Sequence, residues 1–373
     1  MGEKVKNASV IVVSVLLIFG FALWSIIKPD SEFSESERRG LAGMPELSVR
    51  NIFYEKGDNS FMMEFEKYAA DQFPMREGFR RLNSAFSLYV LRQKEVNDIY
   101  ISGGYAAKLE YVLNEASLDW AVGRFDDIAG RYLNGQKAYI AVVPDKGYYL
   151  AKSGGYPSLD YERLFEKVKN GTEAYAEYID ITGFLDINSY YRTDTHWRQE
   201  KIIPAAEHIA GRMGVEAEAE YKTNTVEKPF YGVYYGQSAL PMEPDKINYL
   251  TSDILDGAIV RCLDGEEPET ISVYDMEKAV GRDGYEIFLS GARALITIEN
   301  PFADNGKELV IFRDSFGSSL APLLVSGYEK MTLVDIRYIS SAFVGRFVDF
   351  EDADVLFLYS TSVLNNSEGQ FLK

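Results

Sequence analysis

Two short elements carry the residue types that can do acyl chemistry. Asp194-Thr195-His196-Trp197 lies mid-chain, and Asp314-Ser315-Phe316-Gly317 follows near the C-terminal end. A hydroxyl is a poor nucleophile until a base takes its proton, and that base needs a carboxylate to orient it. The chain has only two histidines. His196 stands two residues after Asp194, and on an extended segment residues i and i+2 point the same way. The carboxylate can then hold one ring nitrogen while the other faces Ser315. Ligation of a metal by Asp194 and His196 is the weaker reading, because no further histidine and no cysteine cluster supports it. The second histidine, His208, falls off the apolar stripe Ile202, Ala206, Ile209 and Met213 of a helical pattern, and reads as a solvated surface residue.

Ser315 needs to be presented at an edge, and its flanks do this. The apolar run Leu309-Val310-Ile311-Phe312 reads as a strand, and an apolar helical stretch follows the serine. A strand, a sharp turn and a helix leave a turn serine exposed, with backbone N–H groups beside it that can hold a developing oxyanion. Ser318 and Ser319 sit one turn into the helix, where a hydroxyl commonly bonds back to the chain. Asp314, adjacent to the nucleophile, is placed to support the turn. Taken alone, Asp-Ser at a strand end also suits a plain helix N-cap.

Three more runs read as strands: Ala138 to Val143, Met331 to Ile336, and Val355 to Tyr359. Runs apolar on both faces and separated by helical segments predict a parallel sheet covered on both sides, an α/β fold. Ligands of such sheets bind at the carboxyl ends of the strands, where Pro144, Ser315 and Arg337 all fall. Upstream, Phe61, Phe65, Tyr68 and Ala69, then Phe79, Leu82, Phe86 and Tyr89, recur at helical spacing with a break at Phe73-Pro74. Residues 243–291 are acidic and turn-rich, and read as an insertion or lid with some β-character. The expected organisation is 1–30 a tip and anchor, 31–97 a linker and amphipathic helical region, and 98–373 the catalytic domain.

The stretch Asn7 to Ile27 is 21 residues without a formal charge, long enough to span a bilayer. Lys4 and Lys6 precede it, which predicts a cytoplasmic N-terminus and an extracytoplasmic remainder in a single-pass cell-membrane protein. A cleaved signal peptide is the alternative, but Leu23, Trp24, Ile26 and Ile27 carry the apolar run past Gly20-Phe21-Ala22. The net charge is −18, and the first 28 residues, with Lys4, Lys6 and Lys28 against Glu3, are positive. So acidic an outer portion excludes a nucleic-acid partner and disfavours a polyuronate. The single cysteine, Cys262, excludes an intrachain disulfide and a cysteine-ligated metal site, and in its apolar surroundings reads as a small buried hydrophobe. No metal or other cofactor is expected.

The two elements together resemble the SGNH-hydrolase superfamily, and within it the alginate O-acetyltransferase-like branch and the DHHW proteins of bacterial envelopes. The D-[HT]-H-W element precedes the Asp-Ser-[FY] element here as there. Asp71-Gln72-Phe73-Pro74 with Arg76, Val143-Pro144-Asp145-Lys146, Phe230-Tyr231-Gly232 and Asp335-Ile336-Arg337-Tyr338 extend the resemblance over roughly residues 30 to 365. It departs from the pattern at Arg313, where glycine is usual, and at Gly317-Ser318, where Ala-Asn is frequent. No asparagine equivalent to that of the SGNH oxyanion hole is identified.

The resemblance implies an SGNH-like parallel sheet flanked by helices behind an N-terminal transmembrane helix. It implies Ser315 as nucleophile, His196 as base and Asp194 as its orienter. The Gly232 backbone joins the Ser315 N–H at the oxyanion, and Tyr231, Trp197, Arg337 and Tyr338 are candidate oxyanion or substrate contacts. The expected function is a membrane-anchored O-acyltransferase that acetylates an envelope polysaccharide or exopolysaccharide, with a polytopic membrane-bound acyltransferase as donor and no cofactor. A carbohydrate esterase with the same triad and a non-catalytic polysaccharide-assembly scaffold are the alternatives. Tyrosine pairs such as Tyr148-Tyr149, Tyr190-Tyr191 and Tyr234-Tyr235 can stack sugars, although any single one reads more simply as core.

Overall fold

A computed structural model describes residues 2–48, 60–133, 135–136, 138–217, 219–265, 267–368 and 371–373. Residues 49–59 of the expected linker region lie outside it. The chain divides into two units, Met1–Val96 with Gly236–Pro241 and Asn97–Tyr235 with Met242–Lys373.

The first unit begins with helix α1, Gly2–Ile27, none of whose residues is buried. It is long and apolar enough to cross a membrane, a property shared by an anchor and a signal sequence. Helices α2, Phe61–Asp71, and α3, Arg76–Ala85, are separated at Phe73-Pro74, where proline has no N–H to continue the ladder. The Asp-Gln-Phe-Pro motif is a staple here. Asp71 accepts two hydrogen bonds from the Arg39 guanidinium, at 2.9 and 2.6 Å, and one from the Ala42 N–H. Arg39 thereby holds the Asp71 carboxyl down to about 2. The Gln72 amide grips the backbone of Ser31 and Ala42.

The second unit is built on an eight-stranded sheet. Its strands are β1 Ala138–Val143, β2 Ala176–Tyr178, β3 Ile259–Cys262, β4 Glu269–Ile271, β5 Leu295–Glu299, β6 Glu308–Arg313, β7 Lys330–Val334 and β8 Ala353–Ser360, in the order β4-β3-β5-β7-β6-β8-β1-β2. The five from β7 to β2 are parallel; β5, β3 and β4 form an antiparallel edge. The continuous apolar runs follow from burial on both faces. Tyr139, Ala141 and Val143 of β1, with Leu309 and Ile311 of β6 and Leu356 and Leu358 of β8, enter one core. The residues alternating with them, Ala138, Ile140, Val142, Val310, Phe312, Val355 and Phe357, enter the other.

Helix α4, Glu115–Tyr132, is started by the Asn114 side chain, which accepts from the Ser117 N–H, and lays Leu118, Ala121, Phe125 and Ile128 on the second core. Helices α5, Lys146–Gly154, and α6, Tyr161–Thr172, are capped by Asp145 and Asp160. Helix α7, Ile203–Arg212, buries Ala206 and Ile209 in the first core beside Ile202 and Met213, the stripe read from the sequence. Residues 243–291, read as an insertion or lid with some β-character, contribute β3 and β4, which extend the central sheet. Cys262 is buried in β3.

The topology decides where a ligand site can form. From β6 the chain passes to β7 on one side, then returns to β8 on the other. The strand order therefore reverses at β6, and ligands of open α/β sheets bind outside the carboxyl end of a strand at such a point. Ser315 lies two residues beyond that end.

Candidate active site

Ser315 sits half-buried in a turn between β6 and a short helix, Gly317–Leu320. Asp314, fully buried, clamps this turn. Its Oδ1 accepts from the Phe316 N–H at 3.0 Å, and its Oδ2 accepts from the Ser360 N–H at 2.8 Å, tying the turn to the end of β8. The Ser315 N–H donates to no protein oxygen among the described residues. Ser319 does bond back to the Phe316 carbonyl, whereas Ser318 instead accepts from the Arg313 guanidinium at 3.0 Å.

His196 reaches the serine from a loop, where its spacing from Asp194 allowed a strand or an extended turn. Tyr190 and Trp197 pair as an isolated bridge, and the loop between them is held by Asp245, which accepts from the Arg192 and Thr193 N–H groups and the Thr193 hydroxyl. Within the loop, Asp194 and His196 still face each other. The His196 Nδ1–H donates to Asp194 Oδ1 at 2.6 Å, and the Ser315 hydroxyl donates to His196 Nε2 at 2.8 Å. The tautomer follows from the carboxylate, an acceptor only, lying against Nδ1. Asp194 is fully buried, and its two oxygens also accept the N–H groups of His196 and Val233. Those donors fix the carboxylate in place.

Several residues that hold this geometry have no sequence signal of their own. Tyr285 stacks on the His196 ring, centroids 3.8 Å apart and planes 8° from parallel, and its hydroxyl bonds Ser319 at 2.8 Å. Gln199 donates to the Ser319 carbonyl and accepts from the Leu250 N–H. Lys146, read only as part of a motif, is 2% exposed and donates to the carbonyls of Tyr191 and Arg192, so it tethers the loop that carries Asp194.

The expected contacts divide into corrections and open sites. Trp197 is no substrate surface: it is wholly buried, and its Nε1–H donates to the Phe316 carbonyl at 3.1 Å and the Ser319 hydroxyl at 2.8 Å, locking the histidine loop to the nucleophile turn. The Gly232 N–H is not free for an oxyanion, because it donates to Thr193 Oγ1 at 2.9 Å. Glycine is required there for a different reason. A Cβ would lie 2.3 Å from Asp194 Cβ, so only glycine lets this backbone pass. Arg337 places Nε and Nη2 on Asp335, at 2.8 and 2.6 Å, an internal pair in place of the expected substrate contact. Tyr231 and Tyr338 are exposed. Tyr190 and Tyr191 are core, and His208, read as a solvated surface residue, is half-buried with its ring on the exposed Phe184 at 4.1 Å.

Burial lowers Lys146 to about 7 from its ordinary 10.5, against the opposing pull of Asp194, Asp245 and Asp145. A base whose folded-state pKa lies below its unfolded value lets the unfolded chain take up the proton first as pH falls. Lys146 therefore costs stability progressively between pH 10.5 and pH 7. Lys146→Met removes that slope. In denaturant melts, the stability difference between wild type and variant should move in the variant's favour as pH falls from 10.5 to 7; a difference constant in pH would place this ammonium in contact with water.

No protein-family model and no curated sequence matches the chain. Solved structures do. A DHHW family protein from Eubacterium siraeum is 21% identical, with a TM-score of 0.58 over 74% of this chain and 95% of that one. PatB1 of Bacillus cereus is 17% identical, with a TM-score of 0.54 over 74% of this chain and 99% of PatB1. A PatB1 structure carrying a sulfonyl adduct matches at the same identity and TM-score over 73% and 97%. The chain thus shares the fold of these proteins, a mostly parallel sheet flanked by helices, and carries in addition an apolar N-terminal helix.

Proposed function

We propose that this protein is a membrane-anchored O-acyltransferase, with its second unit outside the cytoplasm, that acetylates an envelope polysaccharide or exopolysaccharide through an acyl-serine. The observation that carries the reading is the unbroken path from Asp194 through His196 to the Ser315 hydroxyl. As Ser315 Oγ attacks the acyl carbonyl carbon, its proton passes to His196 Nε2. The imidazolium formed is held by Asp194, and the new oxyanion lies against the Ser315 N–H. Collapse breaks the bond to the donor's leaving group, which departs with the proton from His196. A sugar hydroxyl then attacks the acyl-serine, His196 takes its proton, and collapse returns that proton to Ser315 while the sugar ester leaves.

The donor in this scheme is a polytopic membrane-bound acyltransferase that passes the acyl group across the bilayer. Tyr231 and Tyr338, exposed apolar rings, are assigned to the acceptor, for which an acidic protein favours a neutral glycan. Hydrolysis uses the same residues with water in the second step. Turnover of an acetyl ester by the full chain in detergent, with and without a neutral oligosaccharide, separates the two. Transfer predicts acetylated sugar and faster ester loss with acceptor present; ester loss indifferent to acceptor makes the protein an esterase.

A further inference from the structure

The first unit wears its helices inside out. Helix α3 continues as a π turn over Phe86–Val90. Along it Ser84 and Ser87 are buried, at 2% and 9% exposure, while Leu82, Phe86 and Val90 stand at 65%, 49% and 61%. With Met75 and Phe79, also exposed, these apolar residues recur at spacings of four, three, four and four, a single stripe of the helix. A soluble helix turns that stripe inward, so a contiguous outward one marks a surface with a partner.

The contacts of α1 say which partner. Phe21 of α1 stacks on Phe73 at 5.5 Å and meets Phe79 edge-on at 5.7 Å, and Trp24 stacks on Phe21 at 6.1 Å. Phe21 is six residues before the end of α1, about 9 Å along its axis. If α1 spans a bilayer over Asn7 to Ile27, a side chain touching Phe21 lies within about 9 Å of the level where the membrane begins, close to the belt that aromatic rings favour. Phe79 belongs to the outward stripe itself. Arg81, on a flank of α3, and Arg92, just past the π turn, are exposed, as suits side chains that reach toward lipid phosphates.

We infer that the stripe formed by Met75, Phe79, Leu82, Phe86 and Val90 lies in the lipid interface, so that α3 is a second, in-plane membrane contact beside α1. It does not depend on the acyl chemistry. The test places single nitroxide labels on the full chain, in a Cys262→Ser background, reconstituted into nanodiscs of phosphatidylcholine and phosphatidylglycerol. Labels at Leu82, Phe86 and Val90 are compared with one at Arg81, on the polar flank, for relaxation by oxygen, which concentrates in lipid, and by a water-soluble nickel chelate. Oxygen should exceed nickel at the three apolar positions, with the order reversed at Arg81. Nickel access at all four positions equal to that of a solvated site overturns the inference. So do labels at 82, 86 and 90 shielded from both reagents, which would mean that protein covers the stripe.

Discussion

Ser315→Ala should lower acetyl-ester turnover by about 10⁶-fold, the scale on which loss of a serine nucleophile is felt, while the melting temperature stays near that of wild type. The expectation of a stable variant rests on the environment of the hydroxyl. Ser315 is half-exposed and its Oγ bonds His196, so its removal leaves no cavity and no buried donor without a partner. The turn is held by Asp314 and by Trp197, which alanine at 315 does not touch. Activity retained by a folded variant would remove Ser315 from the chemistry. A variant that failed to fold would instead assign the hydroxyl a structural part that its contacts do not predict.

Asp194→Asn separates orientation from mere packing. With a carboxylate at 194, Nδ1 of His196 carries the hydrogen and Nε2 is free to accept from Ser315. Asparagine can present its N–H₂ to Nδ1, which moves the ring hydrogen to Nε2 and points it at the serine; turnover should fall ~10⁴-fold, as for a serine protease triad. The substitution carries a structural cost as well. Both oxygens of Asp194 accept backbone N–H groups, from His196 and Val233. An amide must set its own N–H against one of them, at about 1–3 kcal/mol. Turnover of the folded variant and its denaturant midpoint are therefore both expected to fall, the first far more than the second. Near-normal turnover would place the orienting acid elsewhere.

Strands β1, β6, β7 and β8 were legible because burial on both sheet faces makes them near-continuous apolar runs, a pattern that needs no knowledge of neighbours; β2 and β4, short edge strands with polar or exposed residues, carry no such signal. Ser315 was legible for a related reason: it closes such a strand, and helical sequence follows it. Asp194 and His196 were legible as a pair only because they are two residues apart; their loop was not, since its hold comes from Asp245 and Lys146, distant in sequence. Tyr285 was invisible for the same reason. Nothing about a tyrosine in a turn-rich stretch announces that its ring will stack on an imidazole.

Gly232 shows how a packing constraint can pass in sequence for a ligand contact. It is glycine because Asp194 leaves no space for a Cβ, and its N–H is already bonded. Arg313 and Gly317, read as separate departures from the resembling proteins, prove to be one arrangement. The buried Arg313 side chain occupies the place a Cβ on residue 317 would need, 2.7 Å from its own Cβ, and its guanidinium donates to Ser318. An arginine before Asp-Ser therefore requires glycine at 317 and suits a small hydroxyl at 318.

The most direct measurement is the mass of the intact protein after brief incubation with an activated acetyl ester and no acceptor, followed by peptide mapping. The expected result is a single acetyl group on the peptide that contains Ser315, absent from Ser315→Ala, reduced in Asp194→Asn, and lost when a neutral oligosaccharide is added. An acetyl group on any other residue, or label on Ser315 that accumulates at the same rate in Asp194→Asn as in wild type, contradicts an acyl-serine formed by this triad.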